Sequence, residues 1–208
     1  MTRTVKKPVE RQQEIVAAAQ ELFQEQQYEK TTMQDVMDKL GIAKGTIYHY
    51  FKSKEELLEA VVEQTVDEYV AGMQAVLDET EGNALDRLHV LITAGNVADE
   101  QEQMLEHLHH PGNIGVHTRQ LAVTLSKLAP LYARAIQQGC EEGVFQTEHP
   151  LECAEFLLAG VQFLTDIGFY PWKQEDLVRR AMAFPALIEA QLKAPKGAFN
   201  FLVEQMRR

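Results

Sequence analysis

The chain predicts an all-α protein made of two helical units joined through one long helix. Three observations lead there. Apolar residues recur at three- and four-residue spacing through most of the chain, as in Ile15, Ala18, Ala19, Leu22 and Phe23. Capping and breaking residues stand where those stretches end: Thr31 and Thr32, Gly41, Ser53, EGNAL at 81–85, Pro111-Gly112 and Pro150. No strand pattern, internal repeat or low-complexity tract is evident.

Taken in order, residues 1–8 form a polar arm with Arg3, Lys6 and Lys7, either loose in solution or laid on a neighbouring minor groove or phosphates. A helix follows from about Val9 to Gln26, with Tyr28 closing the small core below it. Thr31 and Thr32 each have a polar acceptor three residues on, Gln34 and Asp35, so either can cap the second helix. That helix carries Met33, Val36, Met37 and Leu40 on one face, and Gly41 ends it where a left-handed residue is needed. A third helix covers roughly Lys44 to Tyr50. It presents Lys44, Gly45, Thr46, Tyr48 and His49 outward and keeps Ile47 and Phe51 as anchors. Ser53 with Glu56 opens a fourth helix. Helix, glycine-bearing turn and polar second helix form the helix-turn-helix pattern, whose second helix enters the major groove of DNA.

Within this head each side chain has a role set by its chemistry. Lys44 is placed for a base edge or a phosphate, and Gly45 lets the backbone approach DNA closely. Thr46 suits a thymine methyl or a phosphate. Tyr48 and Tyr50 offer hydroxyls to phosphate oxygens, and His49 is a further base contact. Lys54 stands at a helix N-terminus, where backbone N–H groups already favour an anion.

The run GIAKGTIYHYFKSKEELLEAV resembles the DNA-binding signature of the TetR/AcrR family of bacterial transcriptional repressors. Gly41, Gly45-Thr46, Tyr48, Phe51, Lys54, Glu55 and Leu57 fall in family order, and the motif-level resemblance covers about residues 10–65. It implies DNA contacts at Thr46, Tyr48, Tyr50 and Lys54, and Thr32 at the start of the motif joins this candidate set. It also implies a homodimer on a pseudo-palindromic operator. One departure is Ala43, where family members often have serine as the cap of the recognition helix. Alanine forfeits about 0.5–2 kcal/mol of capping.

Composition fits this reading. The net charge is −11, yet residues 1–54 hold nine Lys/Arg against seven Asp/Glu, so the acidity lies in the rest of the chain. Phosphate attraction depends on the field within about 8–10 Å, so an acidic body is compatible with a weakly basic head. Two cysteines, Cys140 and Cys153, make no disulfide framework and read as buried thiols. No run of about 18 apolar residues or signal-peptide core exists, so a cytoplasmic protein without membrane attachment is expected. There is no GxSxG, no P-loop and no GxGxxG after a strand, and no enzyme or cofactor is expected.

The remainder is a helical body. The helix from Ser53 runs to about residue 78, nearly 40 Å at 1.5 Å per residue, and belongs to both units. The expected division is residues 1–55 for the DNA-binding domain and 56–208 for the regulatory and dimerisation domain. Further helices are expected at about 84–97, at 117–142 with a kink at Pro130, at 151–168, and from YPWKQEDL to Leu192. APKG at 194–197 then releases a short C-terminal segment. The 151–168 helix is apolar nearly all round, so it needs cover from its own body and from a partner. A homodimer through 117–142 and 151–168 of each chain is expected. A small-molecule inducer would sit among Met104, His107, Leu108, His110, Leu121, Leu125 and Phe163. His107, His109, His110 and His117 are the densest metal-ligand cluster, which keeps open the alternative of a metal-responsive or non-DNA-binding sensor. No HExxH or CxxC accompanies them, and no metal site is assigned. The favoured function is a dimeric DNA-binding repressor, released from its operator by an inducer.

Overall fold

The computed structural model describes residues 7–96, 114–167 and 170–205, and every regular element among them is a helix. The order is α1 (Pro8–Gln26), α2 (Met33–Leu40), α3 (Lys44–Tyr50), α4 (Lys54–Glu79), α5 (Ala84–Asn96), α6 (Ile114–Glu141), α7 (Pro150–Thr165), α8 (Gln174–Leu192) and α9 (Phe201–Gln205). The helix expected from His117 thus begins at Ile114, and Pro130 lies inside it, as Pro185 lies inside α8. Each proline removes one i→i−4 hydrogen bond without ending its helix.

Local chemistry sets these boundaries. Of the two threonines before α2, Thr32 is the cap. Its Oγ1 accepts from Asp35 N–H at 3.2 Å, and its own N–H donates to Asp35 Oδ2 at 2.7 Å. Thr31 is buried instead, its hydroxyl donating to the Gln27 carbonyl at 2.8 Å. Gly41 ends α2 with φ 60°, a left-handed conformation that glycine adopts without steric cost. Ser53 caps α4 by accepting from Glu56 N–H at 3.2 Å, while Glu56 reaches back to Lys52 N–H at 2.6 Å. Asn83 opens α5, its side-chain oxygen accepting from Leu85 and Asp86 N–H at 2.9 and 3.1 Å.

Two cores share α4. The first collects Ile15, Ala19, Phe23, Val36, Ile47 and Phe51 around Leu57, Leu58, Val61, Val62 and Val66. The second begins at Met73 and Leu77 and takes in Leu88, Leu91, Leu128, Ile136, Ala154 and Leu192. The change-over lies between Val66 and Met73, so the lower half of α4 belongs to the head and the upper half to the body. Across it, α6 follows α4 through Arg119–Glu59 at 3.1 Å, Lys127–Asp67 and Arg134–Asp78 at 3.1 Å. These pairs are exposed, so they align the helices more than they stabilise them. Val123 of α6 also packs against the first core.

The C-terminal segment differs from expectation. After α8 the chain turns back into the body rather than leaving it. Glu189 Oε1 accepts from the N–H groups of Gly197 and Phe199 at 2.8 and 3.3 Å, and Phe199 is buried beside Phe145. The benefit of burying a phenylalanine outweighs the APKG breaker, which sets only where the chain reverses. Phe145 in turn lies so close to Gly139 that a Cβ there would stand 2.1 Å from its ring. Glycine is therefore required at that point of α6.

Candidate nucleic-acid interface

The recognition surface is built from one anchor outward. Ile47 is 0% exposed and Phe51 nearly so, and together they seat α3 in the head core. With those two held inside, Lys44, Gly45 and His49 are exposed and Thr46, Tyr48 and Tyr50 are half-buried. The Lys44 ammonium lies 5.6 Å from the centre of the Tyr48 ring, and His49 meets Tyr50 edge to face at 5.0 Å. Both pairs hold long polar side chains against rings whose other side packs on the head core.

The start of α3 carries no side-chain cap. Ala43 accepts from the N–H groups of Thr46 and Ile47 through its carbonyl alone, at 2.8 and 3.4 Å. The first N–H groups of the helix therefore have no side-chain partner. Gly45 sits at this end, and a Cβ built on it would meet nothing within 4 Å. Its own fold gives no steric reason for glycine there, although glycine in a helix costs about 1 kcal/mol against alanine. The space it leaves is on the outer surface.

Two residues from the expected contact set are otherwise engaged. The Thr32 hydroxyl donates to Asp35 Oδ2 at 2.8 Å, so its proton is committed to the cap. Hydrogen bonds from the Thr32 side chain and then its backbone hold the Asp35 carboxyl below the usual range, keeping a negative charge there. Lys54 turns inward. Its Nζ donates to the carbonyls of Tyr28, Thr31 and Glu29 at 2.9, 3.1 and 3.5 Å and lies 4.1 Å from the Tyr28 ring centre. It therefore ties the α1–α2 turn to the start of α4. Burial, then Glu55 and Glu29, push the Tyr28 phenol up to about 12, so the ring under the ammonium stays neutral.

In the body, residues from α4 to α9 line a partly open cavity of about 600 Å³. Of the residues expected to bind a ligand, Leu125 lines it; Leu121 does not. Phe163 is 55% exposed on the outer side of α7, because Val161, Gln162 and Thr165 occupy the inner side of that turn. Met104, His107, Leu108 and His110 lie outside the described residues, as do His109 and most of the histidine cluster. His117 is buried, with Nε2 2.8 Å from Asp166 Oδ2, which fastens the start of α6 to the end of α7. Among the described residues no group of three His, Cys, Asp or Glu side chains converges as a metal site. Nor is any helix there long and apolar enough to cross a membrane.

The same arrangement occurs in known proteins. Residues 15–61 match the family model for bacterial regulatory proteins of the tetR family, and residues 94–187 match the tetracyclin repressor-like C-terminal domain. The regulator YfiR of Bacillus subtilis, uncharacterised and of helix-turn-helix type, is 30% identical over 170 residues. That match spans 71% of this chain and 75% of YfiR. The chain belongs to the TetR family of bacterial transcriptional regulators. The helix-turn-helix repressor KstR2 of Mycolicibacterium smegmatis is 34% identical over 97 residues, a match spanning 47% of each chain. A TetR-family regulator from Pectobacterium atrosepticum has the same fold, with a TM-score of 0.63 at 22% identity over 92% of this chain and all of that one.

Neither Tyr69 nor Tyr132, which line the cavity, was singled out from sequence as part of a site. Both lie in apolar helical stripes and read there as core. Only the packing of α4, α5 and α6 brings their hydroxyls together.

Proposed function

We propose that this TetR-family regulator is a dimeric repressor, whose two α3 helices read successive major grooves of a pseudo-palindromic operator. The observation that carries the DNA assignment is the outer face of α3. Uncapped N–H groups, Lys44, and a glycine with open space around it share one surface, with Thr46, Tyr48, His49 and Tyr50 alongside. Lys44 and the helix start suit phosphate or a base edge, and His49 suits a base edge. Lys54 and Thr32 act one step back, holding the turn and the cap that aim α3. The name of the KstR2 relative supports repression over activation.

Dimerisation rests on the exposed apolar side chains. Phe156 and Phe163 on α7, with Val178, Met182 and Leu187 on α8, are 42–72% exposed. Gly160, between the two phenylalanines, has nothing within 4 Å of a built Cβ, which leaves room for a second helix. By contrast, Leu128, Leu131, Ala135 and Ile136 of α6 are buried within the protomer. The favoured four-helix interface is therefore α7 and α8 of each chain, in place of the 117–142 helix. An inducer in the body cavity would release DNA by preferring one spacing of the heads, with α4 as the link. A coupling of about 1–3 kcal/mol would weaken operator binding about 5- to 150-fold.

Selection from a random duplex pool tests this directly. The expected outcome is enrichment of an inverted repeat whose half-site centres are about 34–36 Å apart, or a larger multiple. A pool that stays unenriched through successive rounds would overturn the repressor reading.

A further inference from the structure

The cavity walls define what can enter. Among the described residues its lining includes no Lys, Arg, His, Asp or Glu. On α6 the lining runs from Thr124 to Ile136, about 18 Å at 1.5 Å per residue. Ile136, Ala154, Ile188, Leu192 and Phe199 form a wall without polar side chains. Among those residues an ion placed here would meet no counter-charge to offset the hydration it gives up.

Against this apolar background two hydroxyls converge. Tyr69 comes from α4 and Tyr132 from α6, and Gly95 of α5 lies between them. A Cβ on Gly95 would stand 3.1 Å from the Tyr69 hydroxyl and 3.9 Å from that of Tyr132. The missing side chain thus keeps a small space open at both phenols. Neither hydroxyl has a hydrogen-bond partner among the described residues. Burial raises both phenols above their ordinary value, with Tyr69 adding to the effect on Tyr132, so both keep their protons. Both residues are half-buried and line the cavity, so each hydroxyl proton is available to an acceptor placed inside it.

We propose that the cavity binds an uncharged, elongated, largely apolar molecule carrying one carbonyl or hydroxyl oxygen, which accepts hydrogen bonds from Tyr69 and Tyr132. One oxygen has two lone pairs, and the two phenols offer two donors at one end of a lining whose other polar side chains are Thr124, Gln162 and Thr165. The hydrocarbon part lies along the wall from Ile136 to Phe199. Charged amphiphiles of the same length bind more weakly, since no described residue of the lining offers a counter-charge. This proposal rests on the inducer reading above and gives that inducer a chemical class. It also assigns a direct route to the head, since Tyr69 belongs to the same helix whose first turns pack behind α3.

The test uses Nile red, an uncharged apolar dye with a ring carbonyl, titrated against the full chain without DNA. Competition follows with 2-undecanone, undecanoate and undecylamine, each kept below micelle formation. The expected result is saturable dye binding, displaced by the ketone at a concentration at least tenfold lower than by either charged analogue. Tyr69→Phe and Tyr132→Phe should each weaken ketone binding several-fold while thermal unfolding stays cooperative, and the double variant should remove the preference for the ketone. Undecanoate or undecylamine competing as well as the ketone would overturn the proposal. So would undiminished ketone affinity in the double variant. Because binding is read without DNA, loss of operator binding would count against the repressor reading alone. Ketone binding that leaves a protein–DNA complex intact would remove the inducer role and leave the ligand class standing.

Discussion

In the head, Ile15, Ile47 and Leu57 have no exposed surface, and each helix of the trio α1–α3 is fixed by a neighbour or by the first half of α4. In the body, the helices line a partly open cavity of about 600 Å³ and leave Phe156 72% exposed outside. The head completes its own packing and spends its polar side chains on caps and clamps, except along α3. Among the described residues, the body leaves a cavity inside and apolar side chains outside. That difference fits the proposed division of tasks: reading DNA needs one rigid geometry, whereas a response to an inducer would need a core with two nearby arrangements.

Breaking the head core should have the largest effect. Ile47→Ala should cost about 2–5 kcal/mol, with DNA binding lost, whereas Ile188→Ala on the cavity wall should fall at the bottom of that range. Chemical denaturation of both variants checks this, and equal costs would erase the contrast. Next comes the clamp. Lys54→Met removes the donor to three carbonyls and should destabilise the head by about 1–3 kcal/mol. A Lys54 that only touched phosphate would leave unfolding unchanged and lower DNA affinity alone. On the outer face, Phe156→Glu should raise the dimer dissociation constant at least about tenfold, about 1.4 kcal/mol, in sedimentation equilibrium. Stability of the protomer itself should stay within about 0.5 kcal/mol, as for most surface substitutions. The smallest effect has the opposite sign. Gly45→Ala should stabilise the fold by about 0.5 kcal/mol, since the new methyl meets open space, yet weaken operator binding. Stabilisation with full DNA affinity would mean that the gap at Gly45 serves no approach.

Much of the head was legible because its signals are local. Thr32 with Asp35, Gly41 and Ser53 all act within one helical turn of themselves, and α3 falls at the expected Lys44–Tyr50. What was not legible depends on contacts distant in sequence. Lys54 reads as a phosphate ligand because it stands at a helix N-terminus and at a family contact position, but the carbonyls it meets lie 23–26 residues away. Phe163 reads as a cavity residue by hydrophobicity, and only the seating of α7 on α6 turns it outward. Tyr69 and Tyr132 are 63 positions apart in the numbering, and no periodicity within either helix marks them as a pair. The C-terminal segment is a milder case. Pro195 and Gly197 signal a break correctly, but a break does not say whether the chain leaves the core or returns to it.

The central claim is that the outer face of α3 meets DNA while Lys54 acts from within. The most direct measurement is fluorescence anisotropy on the selected operator across a salt series, comparing the unaltered protein with Lys44→Ala. Binding should weaken steeply with salt, and Lys44→Ala should lower affinity and reduce the slope of log K against log salt by about 1 for a lost phosphate contact. If Lys44→Ala instead binds with unchanged affinity and slope, α3 does not present that face to DNA and the account of the head is wrong.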